Sequence, residues 1–276
     1  MSSLSAASTS VTESPGTHAS SAGVWGYAAA FFAIIKRDVV LLVRRPSRIA
    51  ATVLTPALLW VFFASGFAES VAAGNEAAGS AYMTSLAAGS ALLVVTFASI
   101  FGSLGLIRDR ETGYLQAVLV GPTPRPVVIS ARVASGAVLA SAQASVMVLA
   151  ANWLGSEVSA SGLVAASVML VLTALGLSGL CTALAWHFRS IEGFHGVMAG
   201  ALMPAWLLSG AVFPPDAAGN IMQVLMTVNP LAYAHGAIAG SLGVPDRGVL
   251  PQIATVVFGV AGPIAAVLAA RGDAKR

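Results

Sequence analysis

The chain has 276 residues, 57% of them hydrophobic and only 9% charged, and its mean hydropathy is +0.84. Soluble proteins carry about 45–50% apolar and about 25% charged residues, so 14 basic and 11 acidic side chains cannot cover a soluble surface of this size. Composition therefore makes this an integral membrane protein, and the helical spans read below make its expected fold class all-α. It excludes a disulfide scaffold, because Cys181 is the only cysteine, and the net charge of +3 lacks the clustered basic face that nucleic acid requires.

Residues 1–22 are rich in Ser, Ala and Thr and lack the positive n-region and apolar core of a signal peptide, which predicts a flexible cytoplasmic tail. From 24 to 45, Ala28, Phe31, Phe32, Ile35, Val39 and Leu42 recur at helical spacing, with Lys36, Arg37, Asp38, Arg44 and Arg45 interleaved and Pro46 ending the run. Its uncharged piece, 23–35, is too short for a hydrocarbon core that needs about 20 residues. An amphipathic helix lying in the membrane interface is the expectation, with Lys36 and Arg37 on its polar side.

Six membrane spans follow, at about 49–68, 82–107, 133–154, 161–186, 196–213 and 250–270, each inside a long uncharged stretch. The uncharged piece 217–245 differs, since Asn220, Gln223, Asn229, Pro230, His235 and Pro245 make it a poor lipid-facing helix. It reads as an extracellular or re-entrant helical hairpin before the last span. With six spans and a cytoplasmic N-terminus, 13 of the 14 basic residues fall inside, and only Arg247 falls outside. A seventh crossing would give 11 against 3, so the positive-inside rule favours six, with both termini cytoplasmic. Residues 23–276 then form one transmembrane domain of a multi-pass protein of the cell inner membrane.

The chain lacks several kinds of chemistry. A phosphate-cradling loop needs Gly-Lys, yet Lys36 follows Ile35 and Lys275 follows Ala274, so any ATP chemistry belongs to another polypeptide. Asp, Glu, Lys and Arg all sit at span ends or in loops, which argues against a proton relay. His187 and His195 bracket a short loop without a third ligand, so no metal site is expected. Gly176-Leu177-Ser178-Gly179 resembles the G-x-S-G of rhomboid proteases, and a Ser178/His235 pair would be its catalytic form. That reading requires His235 within hydrogen-bond reach of Ser178; otherwise Ser178 is a helix-packing residue and the chain has no catalytic site.

The most informative segment runs from 108 to 125. Arg108, Asp109, Arg110 and Glu111 precede Gly113, then Leu115, Val118 and Leu119 share a helical face, and Pro122 and Pro124 stop the helix. Such a stripe suits either a linker on the lipid surface or a docking helix for a cytoplasmic partner; a non-transporting scaffold could use it in the second way.

The R-x-x-E-x-G-hydrophobic segment with its following P-x-x-R-like stretch resembles the cytoplasmic coupling region of type-2 ABC exporter permeases. Leu208-Ser209-Gly210-Ala211-Val212-Phe213-Pro214-Pro215, followed by Asn229-Pro230-Leu231-Ala232-Tyr233, is similar to the S-G-x-x-F-P … N-P-L-x-Y pattern of that family's drug-resistance and lipo-oligosaccharide branches. Tyr114 and Gln116 depart from the small and acidic residues common there. The resemblance covers about residues 24–272. It implies a permease subunit paired with a second permease subunit, as homodimer or heterodimer, and with an ABC ATP-binding subunit that holds ATP and Mg, so this chain carries no cofactor. It implies coupling through Arg108–Leu119, bracing by Lys36 and Arg37, and an outer gate at Gly210, Phe213, Pro214, Pro215, Asn229, Pro230 and Tyr233. The implied cargo is a drug, lipid or lipid-linked saccharide.

Overall fold

The computed structural model describes residues 24–72, 76–153, 158–188, 190–212, 218–245 and 248–272, and among these every regular element is a helix. The tail 1–22 and the gate residues Phe213, Pro214 and Pro215 lie outside the described residues. In chain order the helices are α1 (Val24–Val43), α2 (Pro46–Ala72), α3 (Glu76–Glu111), α4 (Tyr114–Val120) and α5 (Arg125–Trp153). They continue with α6 (Ala160–His187), α7 (Ile191–Leu207), α8 (Asn220–Val228), α9 (Pro230–Ser241) and α10 (Leu250–Gly272). Five of them, α2, α3, α5, α6 and α10, are long and apolar enough to cross a membrane.

Helix α1 matches the expected interfacial segment almost residue for residue. Pro46 is the first residue of α2 rather than only the end of α1, a position where its missing N–H costs nothing. Helix α5 starts at Arg125, eight residues before the uncharged stretch begins, so Arg132 sits two turns inside a helix rather than before one. Helix α7 starts five residues earlier than expected and ends at Leu207. The Ser190 Oγ accepts from Gly193 N at 3.1 Å, and Glu192 lies in the first turn, where the helix dipole favours an acid. The chain leaves α7 through Gly210, whose φ of 83° only glycine adopts without strain.

Helix α3 is the axis of the fold. Its 36 residues extend about 54 Å at 1.5 Å per residue. Ala88, Ala91, Leu92, Leu93, Val94 and Val95 are fully buried, and α2, α5, α6, α7 and α9 all pack on it. Where helices must approach closely, hydroxyls and small residues replace branched side chains. The Ser99 and Ser178 hydroxyls meet at 3.2 Å between α3 and α6, and Thr52 Oγ1 donates to Gln143 Oε1 at 2.5 Å between α2 and α5. Such pairs satisfy polar groups that lipid cannot.

The tightest contact joins α6 and α10. Gly176 and Gly179 of α6 lie against Phe258 and the backbone of Gly262, and Gly259 of α10 lies against the carbonyl of Leu172. Leu172 meets Gly259, and seven residues later Gly179 meets Gly262, so the two helices run parallel. By contrast, nothing lies within 4 Å of a Cβ placed on Gly196 or Gly200, so that G-x-x-x-G pair packs no helix.

Candidate functional site

Charged residues gather at one end of the bundle, where α3 ends, α4 turns back and α1, α2 and α5 begin or end. Gly113, at φ 76°, makes the elbow between α3 and α4. A left-handed residue there ends the long helix and restarts a seven-residue one. Leu115 then points back into the protein and is buried with Ile107, Ile129 and Val133 in the apolar core. Val118 is half-buried, and Leu119 packs against that core. The apolar stripe of α4 therefore faces its own chain. What it shows to solvent is Tyr114, Gln116, Ala117 and Val120, the last 89% exposed.

Asp109 turns inward under this elbow. Arg37 of α1 holds it in a two-pronged pair, Nη2 to Oδ1 at 2.9 Å and Nη1 to Oδ2 at 3.1 Å. Arg132 of α5 also pairs with Asp109, and its Nη1 donates to both Asp38 oxygens at 3.2 and 3.3 Å. Ser135 adds a hydroxyl donor to Asp38 Oδ2 at 2.7 Å. Two acids and two guanidiniums thus cancel, and the pairing keeps buried charges tolerable at the membrane edge. The Arg37 guanidinium also lies 4.0 Å over the ring of Tyr114, which ties α4 to α1.

Arg110 makes a separate attachment. It donates to the carbonyls of Trp186 at 3.0 Å and Phe188 at 3.2 Å and lies over the Trp186 ring. Carbonyls at a helix C-terminus lack intrahelical partners, so Arg110 locks the end of α6 to the end of α3. Arg108, Glu111 and Lys36 are exposed and take no part in either attachment. Asp38, Arg132, Ser135 and Tyr114 belong to the site although motif spacing did not single them out. The available signal was an arginine two turns inside an otherwise apolar helix, costly in lipid unless paired.

At the opposite end, Asn229 is the hinge between α8 and α9. Its Oδ1 accepts from Leu231 N at 3.0 Å, with Pro230 at the first helical position, and its Nδ2 donates to the Ala205 carbonyl at 2.6 Å. Tyr233 donates its hydroxyl to Thr227 O at 2.8 Å across the same corner. Asn229→Ala removes the cap and the link to α7, and thermal unfolding in detergent is expected to show a loss of about 1–2 kcal/mol.

The protease geometry is absent. Ser178 meets Ser99, whereas His235 Nε2 lies 2.9 Å from the Ser85 carbonyl and 3.4 Å from its hydroxyl. Ser85 and Ser99 are 14 residues apart on α3, about 21 Å. No proton can pass directly from Ser178 to His235, and Ser178 is a packing residue.

Against known families, residues 29–242 match the model of the ABC-2 type transporter, which is most of the chain. The chain belongs to the ABC-2 type transporter family. It is a membrane permease of an ABC transporter, and permeases of this family are transport subunits without an ATPase of their own. Proteins named transport permease ycf38 are similar to it: that of Porphyra purpurea is 25% identical over 208 residues and that of Pyropia yezoensis 26% over 211. The Cyanophora paradoxa protein of that name is 25% identical over 204 residues. In each case the match covers 73% of the permease and 70% of the relative.

Proposed function

We propose that this permease is one half of an exporter that moves a hydrophobic or amphipathic substrate (a drug, lipid or lipid-linked saccharide) out across the cytoplasmic membrane. A second permease subunit completes the path, and a separate ABC subunit binds ATP and Mg and supplies the work. The carrying observation is the construction of the α3–α4 elbow. Leu115 fixes α4 to the permease, the Arg37–Asp109–Arg132 cluster ties it to α1 and α5, and Arg110 ties it to α6. A push on the exposed side of α4 therefore reaches α1, α3, α5 and α6 together. Energy coupling needs contacts that differ between two states, and the exposed Tyr114, Ala117 and Val120 are the surface we assign to the ATPase.

Six crossings suit the parallel arrangement of α6 and α10. Between the end of one and the start of the other, the chain must return across the bilayer a net single time. Helix α7, at 17 residues about 25 Å long, supplies that return. Helices α8 and α9, with 9 and 12 residues, then form a hairpin that stays at one side. Basic residues gather at the coupling end, which supports cytoplasmic termini. Ile221, Val224, Leu225 and Val228 give α8 an exposed apolar face toward the outer half of the path, where Gly210 and Asn229 shape the gate.

The test is co-purification of the tagged permease from its native membrane in mild detergent. The wild type is expected to bring a stoichiometric ATP-binding subunit with vanadate-sensitive ATPase activity. Val120→Asp and Ala117→Asp should each reduce the captured ATPase at least tenfold while the permease itself remains monodisperse. Leu115→Asp should instead lower the yield of folded permease, because it buries a charge in the core. Wild-type ATPase capture by Val120→Asp would remove α4 from the coupling surface.

A further inference from the structure

We infer that a cavity inside the single subunit, at the charged end of the bundle, binds a phosphate-bearing headgroup. The cavity has a volume of about 280 Å³ and is bounded by α1, α2, α3, α5 and α6. That is the small end of the range for ligand pockets, about 300–1,000 Å³, and suits a headgroup rather than a whole lipid.

Charge decides the sign of the ligand. Of the ionised groups around the cavity, Arg37, Arg132, Asp38 and Asp109 neutralise one another. Three further arginines, Arg45, Arg48 and Arg108, line the same space, and among the described residues none of them has an acid within ion-pair distance. Arg108 and Arg45 both act on the half-buried Arg48 as like charges, and Asp38 offsets them only in part. Arg48 is partly desolvated, with the exposed Arg45 and Arg108 at the mouth of the same cavity; a phosphate, with its several acceptor oxygens, is the ligand that three guanidiniums around one space match.

The inner wall complements this. Ser99 pairs with Ser178, and Ser103 with Thr182 at 3.5 Å, on the cavity side of α3 and α6. In each pair one hydroxyl donates to the other, which leaves one O–H proton available to an acceptor in the cavity. The floor is thus a set of donors, and the mouth is cationic. A simple excess of positive charge at the inner membrane face does not require three arginines to line one space: Arg44 and Arg125, exposed like Arg45 and Arg108, do not line the cavity.

The inference concerns binding by the permease alone and does not depend on the ATPase. Purified full-length permease in neutral detergent is titrated with dioleoyl phosphatidylglycerol, with dioleoyl phosphatidylcholine and with sodium phosphate, and bound lipid is counted by native mass spectrometry. The wild type should retain the anionic lipid at least tenfold better than the zwitterionic one. Arg45→Gln/Arg48→Gln/Arg108→Gln should lose that preference, while Arg44→Gln/Arg125→Gln should keep it. Gly105→Leu provides a variant with every charge intact. A Cβ there meets nothing closer than Arg132 Nη1 at 3.8 Å, so the helix accepts it and the side chain fills the cavity. Competition by free phosphate would identify a site for soluble phosphates, and failure to compete a site for lipids; both support a phosphate pocket. Undiminished binding by Gly105→Leu, or equal loss in the Arg44/Arg125 variant, would overturn it.

Discussion

Replacing Gly179 by leucine is expected to unseat α10 from α6 and to leave little monodisperse permease. A Cβ at Gly179 would overlap the carbonyl of Gly262 and the nitrogen of Pro263, and one at Gly262 would overlap the backbone of Gly176. Backbone atoms cannot swing aside as a side-chain tip can. Overpacking in cores costs about 1–3 kcal/mol and occasionally more, and this contact stands at the upper end, because two helices must separate. In lipid no hydrophobic force drives helices together, so association depends on the close approach that these glycines permit. Even Gly179→Ala should lower stability by about 3 kcal/mol in thermal unfolding of the detergent-solubilised protein. Gly196→Ala is the control. With nothing within 4 Å, it should be neutral or gain up to about 1 kcal/mol from helix propensity. Equal stability of the Gly179 and Gly196 variants would refute the packing assignment.

The second large effect falls on Asp109. Removing one member of a buried ion pair costs about 3–5 kcal/mol, because the remaining charge is stranded. Asp109→Asn leaves Arg37 and Arg132 to share Asp38, so a loss of about 3 kcal/mol is expected. The companion change Arg37→Gln should restore most of it, since the remaining Arg132 and Asp38 are already paired at 3.2 Å. A double-mutant cycle on thermal stability should return a coupling above about 1.5 kcal/mol. Strict additivity of the two losses would mean that the pair does not hold α1 to α3. Under the proposed docking of an ATPase on α4, Asp109→Asn should retain that binding through Val120 yet transmit less of its motion.

Much of this protein was legible without coordinates. Membrane residence followed from the deficit of charge, and the first helix, five of the six expected spans as helices long and apolar enough to cross, and the short helices α8 and α9 followed from runs of apolar residues broken by charge or proline. Two boundaries moved where a side chain did something periodicity does not encode. Ser190 capped α7 early, and Arg132 entered α5 because two acids elsewhere neutralised it. The short helix after Gly113 was legible in the sequence, but the direction of its apolar face was not. The stripe of Leu115, Val118 and Leu119 suited either the lipid surface or a partner, yet Leu115 is buried in the permease's own core and Leu119 packs against it, since an isolated amphipathic stripe does not say what will cover it.

The sequence by itself determined the solvent and the succession of helices along the chain, because hydropathy and helical period are properties of neighbouring residues. Tertiary structure alone decided which groups meet. Arg37 and Asp109 are 72 positions apart, and Arg132 and Asp38 are 94 apart. Gly179 finds Gly262 only because α6 and α10 run parallel. Arg45, Arg48 and Arg108 come to line one cavity only because the α1–α2 turn, α2 and α3 converge there. Such meetings depend on the packing of whole helices, in which every surface residue competes, and no local pattern in the chain specifies the outcome.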